Sequence, residues 1–546
     1  MDITKIPFSA LPMLAKTDRA YAENDSLLRP FYKYEVLADN FLKVIADKKN
    51  DLTDRKTLTE VLNTQYKNLD QFDAVDQNIS SLISENTFTI TTAHQPSLFL
   101  GPLYFVYKIF SVICLTELLN EKFPDYKFVP IFVIGGEDHD FEEVNNITVF
   151  GKKLEWQKPG NTDGAVGMMH TDSLKPVLDE LKKILGDSEQ AHEIFKKIEK
   201  AYTSHALYHD ATQDLLNALF GKYGLVVVQM NDKTLKRLFI PVMEREIIEQ
   251  PSKKLVQDTQ EKLEVLGFKP QAFARDINLF YMRDNLRERI VKSEDGSFTL
   301  ELRKKISNVE QSPTPVKTWA NQAEILEELH AHPEFFSPNV VLRPLYQEII
   351  LPNLAYIGGG GELAYWLERK EQFEYFGINF PMLIRRNSVL WLDKTNQDKL
   401  EKLKVGLTDL TVHPDTLTKN YITKNAAQPL NFDAKKVEFG FLYDKIAEYT
   451  KTIDASLEKT VLAEKAKQLQ GIEAIESRLV KAEKQRHETV LTQIRALQQK
   501  LFPNQGLQER TDNFMPIYLK NGDTFFDVLK ENLNPLEPGM IVVHEG

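Results

Sequence analysis

Six of the seven residues in Glu137-Asp138-His139-Asp140-Phe141-Glu142-Glu143 can carry charge, and the cluster follows Gly135-Gly136. Packed carboxylates repel one another unless a cation or an ammonium group balances them. Three kinds of chemistry fit: a Mg²⁺ site, an amine-binding site, or a general base. The plain alternative is a solvated acidic helix start, since acids suit a helix N-terminus. Zinc is not indicated, because the cluster offers one histidine and no cysteine.

A second loop reads Ala93-His94-Gln95-Pro96-Ser97-Leu98-Phe99-Leu100-Gly101-Pro102. It precedes a helical pattern, and backbone N–H groups at a helix start favour phosphate or carboxylate. His94 alone is as consistent with a hydrogen-bonded core residue. A third loop is Gly358-Gly359-Gly360-Gly361-Glu362-Leu363-Ala364-Tyr365-Trp366. Its glycines make either a flexible turn or a place where backbone approaches a ligand, with Glu362, Tyr365 and Trp366 lining the same mouth. Arg343 pairs with Glu348 or faces the site. Arg385-Arg386-Asn387-Ser388 is a surface patch or a phosphate clamp, and Arg510 is placed to approach it. Neither the P-loop nor the dinucleotide glycine fingerprint is present.

Each loop needs an element to aim it. Thr87–Thr91 and Phe128–Ile134 are β-branched, apolar runs, and between them Leu103, Tyr107, Phe110, Cys114 and Leu118 recur at helical spacing. Strand, loop, helix, strand, loop is a βαβ unit, in which ligands bind beyond the carboxyl ends of the strands. The continuous apolar run Leu225–Met230 predicts a buried parallel strand, and Asn231-Asp232 an N-cap for the helix after it. Residues 1–85 are expected to be helical and peripheral. The spacing predicts short strands over 148–156, then helices near 173–186, 190–202 and 208–221. Residues 270–310 are expected to be β-rich, with a strand Ser297–Leu302 after the turn Glu294-Asp295-Gly296. From Leu442 to Leu497 the chain is rich in Ala, Glu, Lys and Gln with recurrent apolar positions. That predicts a long coiled-coil helix, with the segment near 394–405 as its antiparallel partner. The tail should return to the core with a closing strand at Met540–Val543.

The chain has 546 residues, a single cysteine, 42% hydrophobic residues and a formal charge of −11. The acidic balance argues against nucleic acid as a partner. Cys114 falls on the apolar helix face, a core position, and a lone cysteine suits a reducing compartment. The opening Met-Asp-Ile-Thr-Lys has no apolar signal region, and no apolar run reaches the roughly 18 residues of a spanning helix. The expectation is a cytoplasmic protein with no membrane association.

Taken together, Ala93-His94-Gln95 with Leu100-Gly101-Pro102-Leu103-Tyr104, Gly136-Glu137-Asp138-His139-Asp140-Phe141, Leu342-Arg343-Pro344, and Gly358-Gly359 with Gly361–Trp366 resemble the bacillithiol-biosynthesis cysteine ligase family (BshC). The order of these motifs and the late coiled coil match over essentially the whole chain. The resemblance implies an α/β fold: a Rossmann-like parallel-sheet core with inserted connecting-peptide segments and a long α-helical coiled coil. On that plan residues 1–147 hold the N-terminal helices and first half of the core, 148–222 a mainly helical insertion and 223–265 core. Residues 266–335 would be a small β-rich insertion, 336–393 the second half of the core, 394–502 the antiparallel coiled coil and 503–546 the return.

The implied activity joins L-cysteine to glucosaminyl-malate through an amide bond, with ATP (or bound ADP) as nucleotide, Mg²⁺ as its companion, and a homodimer formed through the coiled coil. Asp138, His139, Asp140 and Gln95 are then the catalytic candidates. His94, Gly101, Glu137, Arg343, Gly358, Gly359, Glu362, Tyr365 and Trp366 are the substrate-binding ones, and Arg385, Arg386, Asn387, Ser388 and Arg510 the nucleotide-binding ones. Ala93-His94-Gln95 departs from a Gly-Gln-Gln form, which favours Gln95 over His94. Two other readings stay open at this point: a non-catalytic dimeric metabolite-binding or scaffold protein, and a nucleotidyltransferase of class I synthetase-like architecture.

Overall fold

The computed structural model of the chain describes residues 1–160, 163–283, 285–301, 317–426 and 429–546. Leu302, which closes the expected strand over 297–302, lies outside them.

Five parallel strands form the core sheet: β1 (Thr87–His94), β2 (Lys127–Ile134), β3 (Val226–Gln229), β4 (Asn353–Gly358) and β5 (Met382–Arg385). Their spatial order is 3-2-1-4-5, the doubly wound arrangement whose direction reverses between β1 and β4. β1 and β2 pair from Thr87↔Lys127 to His94↔Ile134, so the loops after them emerge side by side. Nearly every residue of these strands is buried, as a sheet covered on both faces requires. Helix α1 (Tyr104–Lys122) runs from β1 to β2 and is buried almost all round. Asp232 caps helix α2 (Lys233–Glu249), its Oδ1 accepting from the N–H groups of Thr234 and Leu235. The glycine loop opens helix α3 (Gly360–Trp366).

Between β2 and β3 come a hairpin (Asn146–Val149 with Lys152–Glu155) and helices Lys175–Leu185, Glu189–Ser204 and Tyr208–Phe220. Between α2 and β4 lies an antiparallel five-stranded sheet that includes Leu279–Arg283, Leu286–Lys292 and Phe298–Glu301. Gly296, with φ 87°, turns the second hairpin.

Two expectations change. The N-terminal segment is not wholly helical: Asp2–Ile6 is a strand, antiparallel to Met540–His544, which in turn lies parallel to Ser388–Leu392. A pairing between residues more than five hundred apart leaves no local trace. The coiled coil also folds on itself. The chain breaks at Asp454 (φ −151°, ψ 116°), and α4 (Asp433–Ile453) packs antiparallel on α5 (Ala455–Arg486). The segment Lys394–Leu403 instead packs on α6 (Glu488–Leu501), where Leu400, Leu403, Leu497 and Leu501 share one core. Asp454 caps α5 with its own side chain, accepting from Ser456 N–H, and this Asp-x-Ser signal lies inside an otherwise uninterrupted helical composition. Among the described residues no helix is long and apolar enough to cross a membrane.

Candidate functional site

A cavity of about 470 Å³ opens at the carboxyl ends of β1, β2 and β4, where the strand order reverses. Its lining carries both signs of charge, with Arg287 beside Asp138 and Glu362 beside Arg343 and Arg386. Asp138 comes from the loop after β2 and Glu143 from the short helix Phe141–Val144 that follows it. Arg343, Arg386 and Arg510 come from three separate segments.

The acidic side is held by residues distant in sequence. Gln95 donates from Nε2 to Asp138 Oδ2 (2.6 Å), and Arg287 Nη1 lies 3.9 Å from Asp138 Oδ1. Arg287 also donates to His139 Nδ1 at 2.7 Å, which puts the imidazole proton on Nε2. The loop backbone is clamped from the helical insertion: Gly167 N–H donates to Gly136 O and Val166 N–H to Asp138 O, both at 2.7 Å. Burial pushes the Asp138 carboxyl up, but Arg287, the Gln95 amide and the His139 backbone N–H outweigh it and hold the group below the usual carboxylate range. Asp138 is therefore a weak base and a good partner for a cation. Glu143 goes the other way: burial, then Asp140 and Asp138, raise it.

Glu137 does not act in the cavity as a free acid. Its carboxylate is held by the fully buried Lys236 of α2 (Oε1 at 2.7 Å, Oε2 at 2.9 Å), which also donates to Phe336 O. Asp140 is exposed and does not line the cavity, because the short helix Phe141–Val144 starts there and turns its carboxylate outward. It is removed from the catalytic set.

On the glycine side, the buried Lys108 of α1 reaches Glu362 (Oε2 at 2.7 Å) and Ala93 O (2.6 Å). Tyr356 OH and Gly359 N–H also donate to Glu362. Burial opposes ionisation, yet Lys108 and these donors draw the carboxyl down to about 2. Gly359 and Gly361 line the cavity and Gly358 does not. A Cβ on Gly361 would meet open space, whereas one on Gly360 would collide with Asp18. Part of the glycine run thus admits Asp18 rather than a ligand. Arg343 and Tyr365 reach the cavity together, Arg343 Nη2 donating to Tyr365 OH at 3.3 Å. Glu348 is not Arg343's partner; it accepts from Gln347 and Asn353 in the interior. Trp366 stacks on Tyr356 in the core, centroids 4.6 Å apart, and is no wall of the cavity.

His94 borders the cavity with both ring nitrogens engaged. Nδ1–H donates to Gln95 O and Nε2 accepts from Tyr104 OH, each at 2.9 Å. Burial and then Lys108 push its pKa down to about 4, so it is neutral near pH 7. Gly101 (φ 59°) shapes the loop without reaching the cavity, and the backbone there is already used. Asn513 donates to Gly101 O, and Leu103 N–H donates to Asp512 O. The start of α1 is therefore covered by the returning tail rather than offered to a phosphate.

The arginine cluster divides in the same way. Arg385 pairs with Asp18 (2.6 Å) over the Phe8 ring. Asn387 bonds Ser111 and Asn534 O, and Ser388 donates to Glu509. These three tie the chain ends to the core and do not line the main cavity. Arg386 pairs with Glu509 at 2.7 Å yet still lines it, and Arg510 is exposed at its edge.

Residues outside the sequence-based set also matter. Glu143 stands in the acidic cluster itself. Lys108 announces itself as a lone lysine among Tyr107, Ile109 and Phe110. Arg287 carried no local signal, because an insertion some 150 residues later delivers it. Among the described residues no three His, Cys, Asp or Glu side chains converge to hold a metal ion.

A 3-2-1-4-5 parallel sheet with a charged crevice at its reversal point defines a Rossmann-like α/β protein. The model of the bacillithiol biosynthesis BshC N-terminal Rossmann-like domain matches residues 1–387, and that of the BshC C-terminal coiled-coil domain matches 389–545. The chain belongs to the BshC family. A relative from Flavobacterium johnsoniae is 41% identical over 98% of this chain and 99% of its own length. One from Christiangramia forsetii is 42% identical over 96% of each, and one from Bacillus mycoides 27% identical over 94% of each. All three bear the name "Putative cysteine ligase BshC".

Proposed function

We propose that this chain is a cysteine ligase that joins the carboxyl group of L-cysteine to the amine of glucosaminyl-malate, the last step of bacillithiol biosynthesis. The observation that supports this reading best is the presence of both signs of charge in one cavity, Asp138 and Glu143 together with Arg343, Arg386 and Arg510. An amide ligase must hold an ammonium group and an anionic carboxyl or phosphoryl group side by side. In this reading Asp138, kept ionised by Arg287 and Gln95, binds the glucosamine ammonium. Arg343 takes a carboxylate, bidentate geometry being what a guanidinium offers. Arg386 and Arg510 take the phosphates of ATP, which supplies carboxyl activation with Mg²⁺ held by those phosphates. Glu137, Glu362 and His94 keep the loops in place.

Incubating the protein with L-cysteine, glucosaminyl-malate, ATP and Mg²⁺ should give bacillithiol by mass spectrometry. No product with ATP or with another source of activated cysteine would overturn the reading. Asp138→Asn should raise KM for glucosaminyl-malate roughly tenfold or more, the scale of one lost charge-assisted bond.

The same reading pairs two copies through the hairpin of α4 and α5. It rests on apolar side chains left open along α4, among them Val437, Phe441, Tyr449 and Ile453. Sedimentation should give a dimer, and Phe441→Glu with Tyr449→Glu should give a monomer.

A further inference from the structure

We infer that Glu143 is the group that takes the proton from the substrate amine, while Asp138 only binds it. This rests on the ligase reading and assigns a catalytic residue within it. Both carboxylates line the cavity together with Gln95, whose amide donates to Asp138 and also acts on Glu143. Their surroundings separate their work. Asp138 is engaged by Arg287, Gln95 and the His139 N–H. Glu143 has no ion pair among the described residues; what faces it is Asp138 and Asp140 of the loop before it, the Gln95 amide, and the Tyr104 hydroxyl, with Arg510 across the same mouth. It stands at the exposed edge of the loop, so a proton accepted there returns to water without crossing the protein. Its carboxyl is only partly withdrawn from water, and that partial burial together with the like charge of Asp140 and Asp138 displaces its pKa upward, toward the range a general base needs. Two acids with environments that push them apart are the usual arrangement for dividing binding from proton transfer.

The step balances. The ammonium nitrogen gives one proton to the Glu143 carboxylate and becomes a neutral amine. Its lone pair forms the C–N bond to the activated cysteine carboxyl carbon. The bond from that carbon to the phosphoryl oxygen breaks, the electron pair leaving with phosphate or nucleotide. The second nitrogen proton passes to water at the cavity mouth, and Glu143 then releases its own.

Steady-state kinetics over pH 5–9 test the assignment. Glu143→Gln should lower kcat about a hundredfold or more, the range for a lost acid–base group, with KM for glucosaminyl-malate within about threefold. The acid limb of the kcat profile should vanish, and Glu143→Asp should restore part of the rate. Thermal unfolding of each variant checks folding. Should Glu143→Gln keep kcat within about threefold, or keep the acid limb, the assignment fails while wild-type turnover still upholds the ligase. If wild type makes no product, the ligase reading falls, and titration calorimetry of glucosaminyl-malate near pH 5.5 in two buffers of different ionisation enthalpy decides for Glu143. Wild type should release a fraction of a proton on binding that Glu143→Gln does not; equal release in both overturns it.

Discussion

The two sides of the crevice use the same device to different ends. On each, a fully buried lysine sits beneath a glutamate: Lys108 under Glu362 on the glycine side, Lys236 under Glu137 on the acidic side. Lys108 also grips Ala93 O, joining β1 to α3 across the reversal of strand order. The groups that hold Glu362 come from the core sheet and its own helices, and Glu362 is frozen as an anion. Lys236 grips Phe336 O, and the acidic loop is further held by Val166, Gly167 and Arg287. Those partners come from both insertions. One side is thus a fixed wall fashioned from the core. The other is a loop whose free carboxylates are tuned by segments that a bare sheet would lack.

The first way to break this comparison is to remove the lysines. Among the described residues, Glu137 Oε1 meets no donor other than the Lys236 ammonium. Lys236→Met should therefore cost on the order of 3–5 kcal/mol, as for a broken buried pair, measured by denaturant unfolding. Adding Glu137→Leu should recover much of that loss, since removing both charges is far milder than removing one. A Lys236→Met loss under about 1 kcal/mol would mean that the pair is not structural.

Lys108→Met should cost less, roughly 2–3 kcal/mol, because Tyr356 and Gly359 still donate to Glu362. Acid titration sharpens this difference. The folded-state pKa of Glu362 is about 2, against an ordinary 4.5. The stabilisation this gives, on the order of 3 kcal/mol, is fully present above about pH 4.5. It is lost as pH falls through 2. Glu362→Gln should flatten the stability curve in that window, and in Lys108→Met the acid transition should begin at higher pH than in wild type.

These contrasts also show which parts of the molecule a sequence reveals. The core strands declared themselves because burial on both faces demands unbroken β-branched runs, as in Leu225–Met230. The three loops were legible because glycine and charge cluster at strand ends. What stayed hidden was allocation. Glu137, Asp138, Asp140 and Glu143 look alike in the chain, and only the three-dimensional positions of Lys236, Arg287 and Gln95 decide which carboxylate is neutralised, tuned or left free. The arginine pair at the end of β5 was equally ambiguous until Asp18 and Glu509, from opposite ends of the chain, arrived to neutralise it. The turn at Asp454 was hidden because helical composition runs unbroken through it.

A smaller change tests whether the insertion really aims the acidic loop. A Cβ on Gly167 would lie 2.8 Å from Gly136 Cα and O, backbone atoms with no room to move aside. Gly167→Ala should cost about 1–3 kcal/mol through overpacking. By displacing Asp138 it should lower kcat/KM for the amine substrate roughly tenfold or more. Normal turnover with a normal melting temperature would show that the clamp does not position the loop.

His94 gives the finest division, because it stands on β1 between the two sides. Its ring is committed, Nδ1–H to Gln95 O and Nε2 to Tyr104 OH, and its pKa is down to about 4 from an ordinary 6.5. It therefore belongs with the fixed wall. Between those two values the unfolded chain binds the proton and the folded one does not. Its effect on stability is absent above about pH 6.5 and grows as pH falls toward 4, a loss of about 1–2 kcal/mol after allowance for its partial exposure. Nitrogen-detected NMR should find the proton on Nδ1 and no titration of the ring between pH 8 and 5. The kcat profile should then owe its acid limb to Glu143 alone. A His94 resonance that moves near pH 6.5 would place the histidine among the ionising groups of the crevice, and the line between a fixed wall and a tunable loop would have to be redrawn through β1.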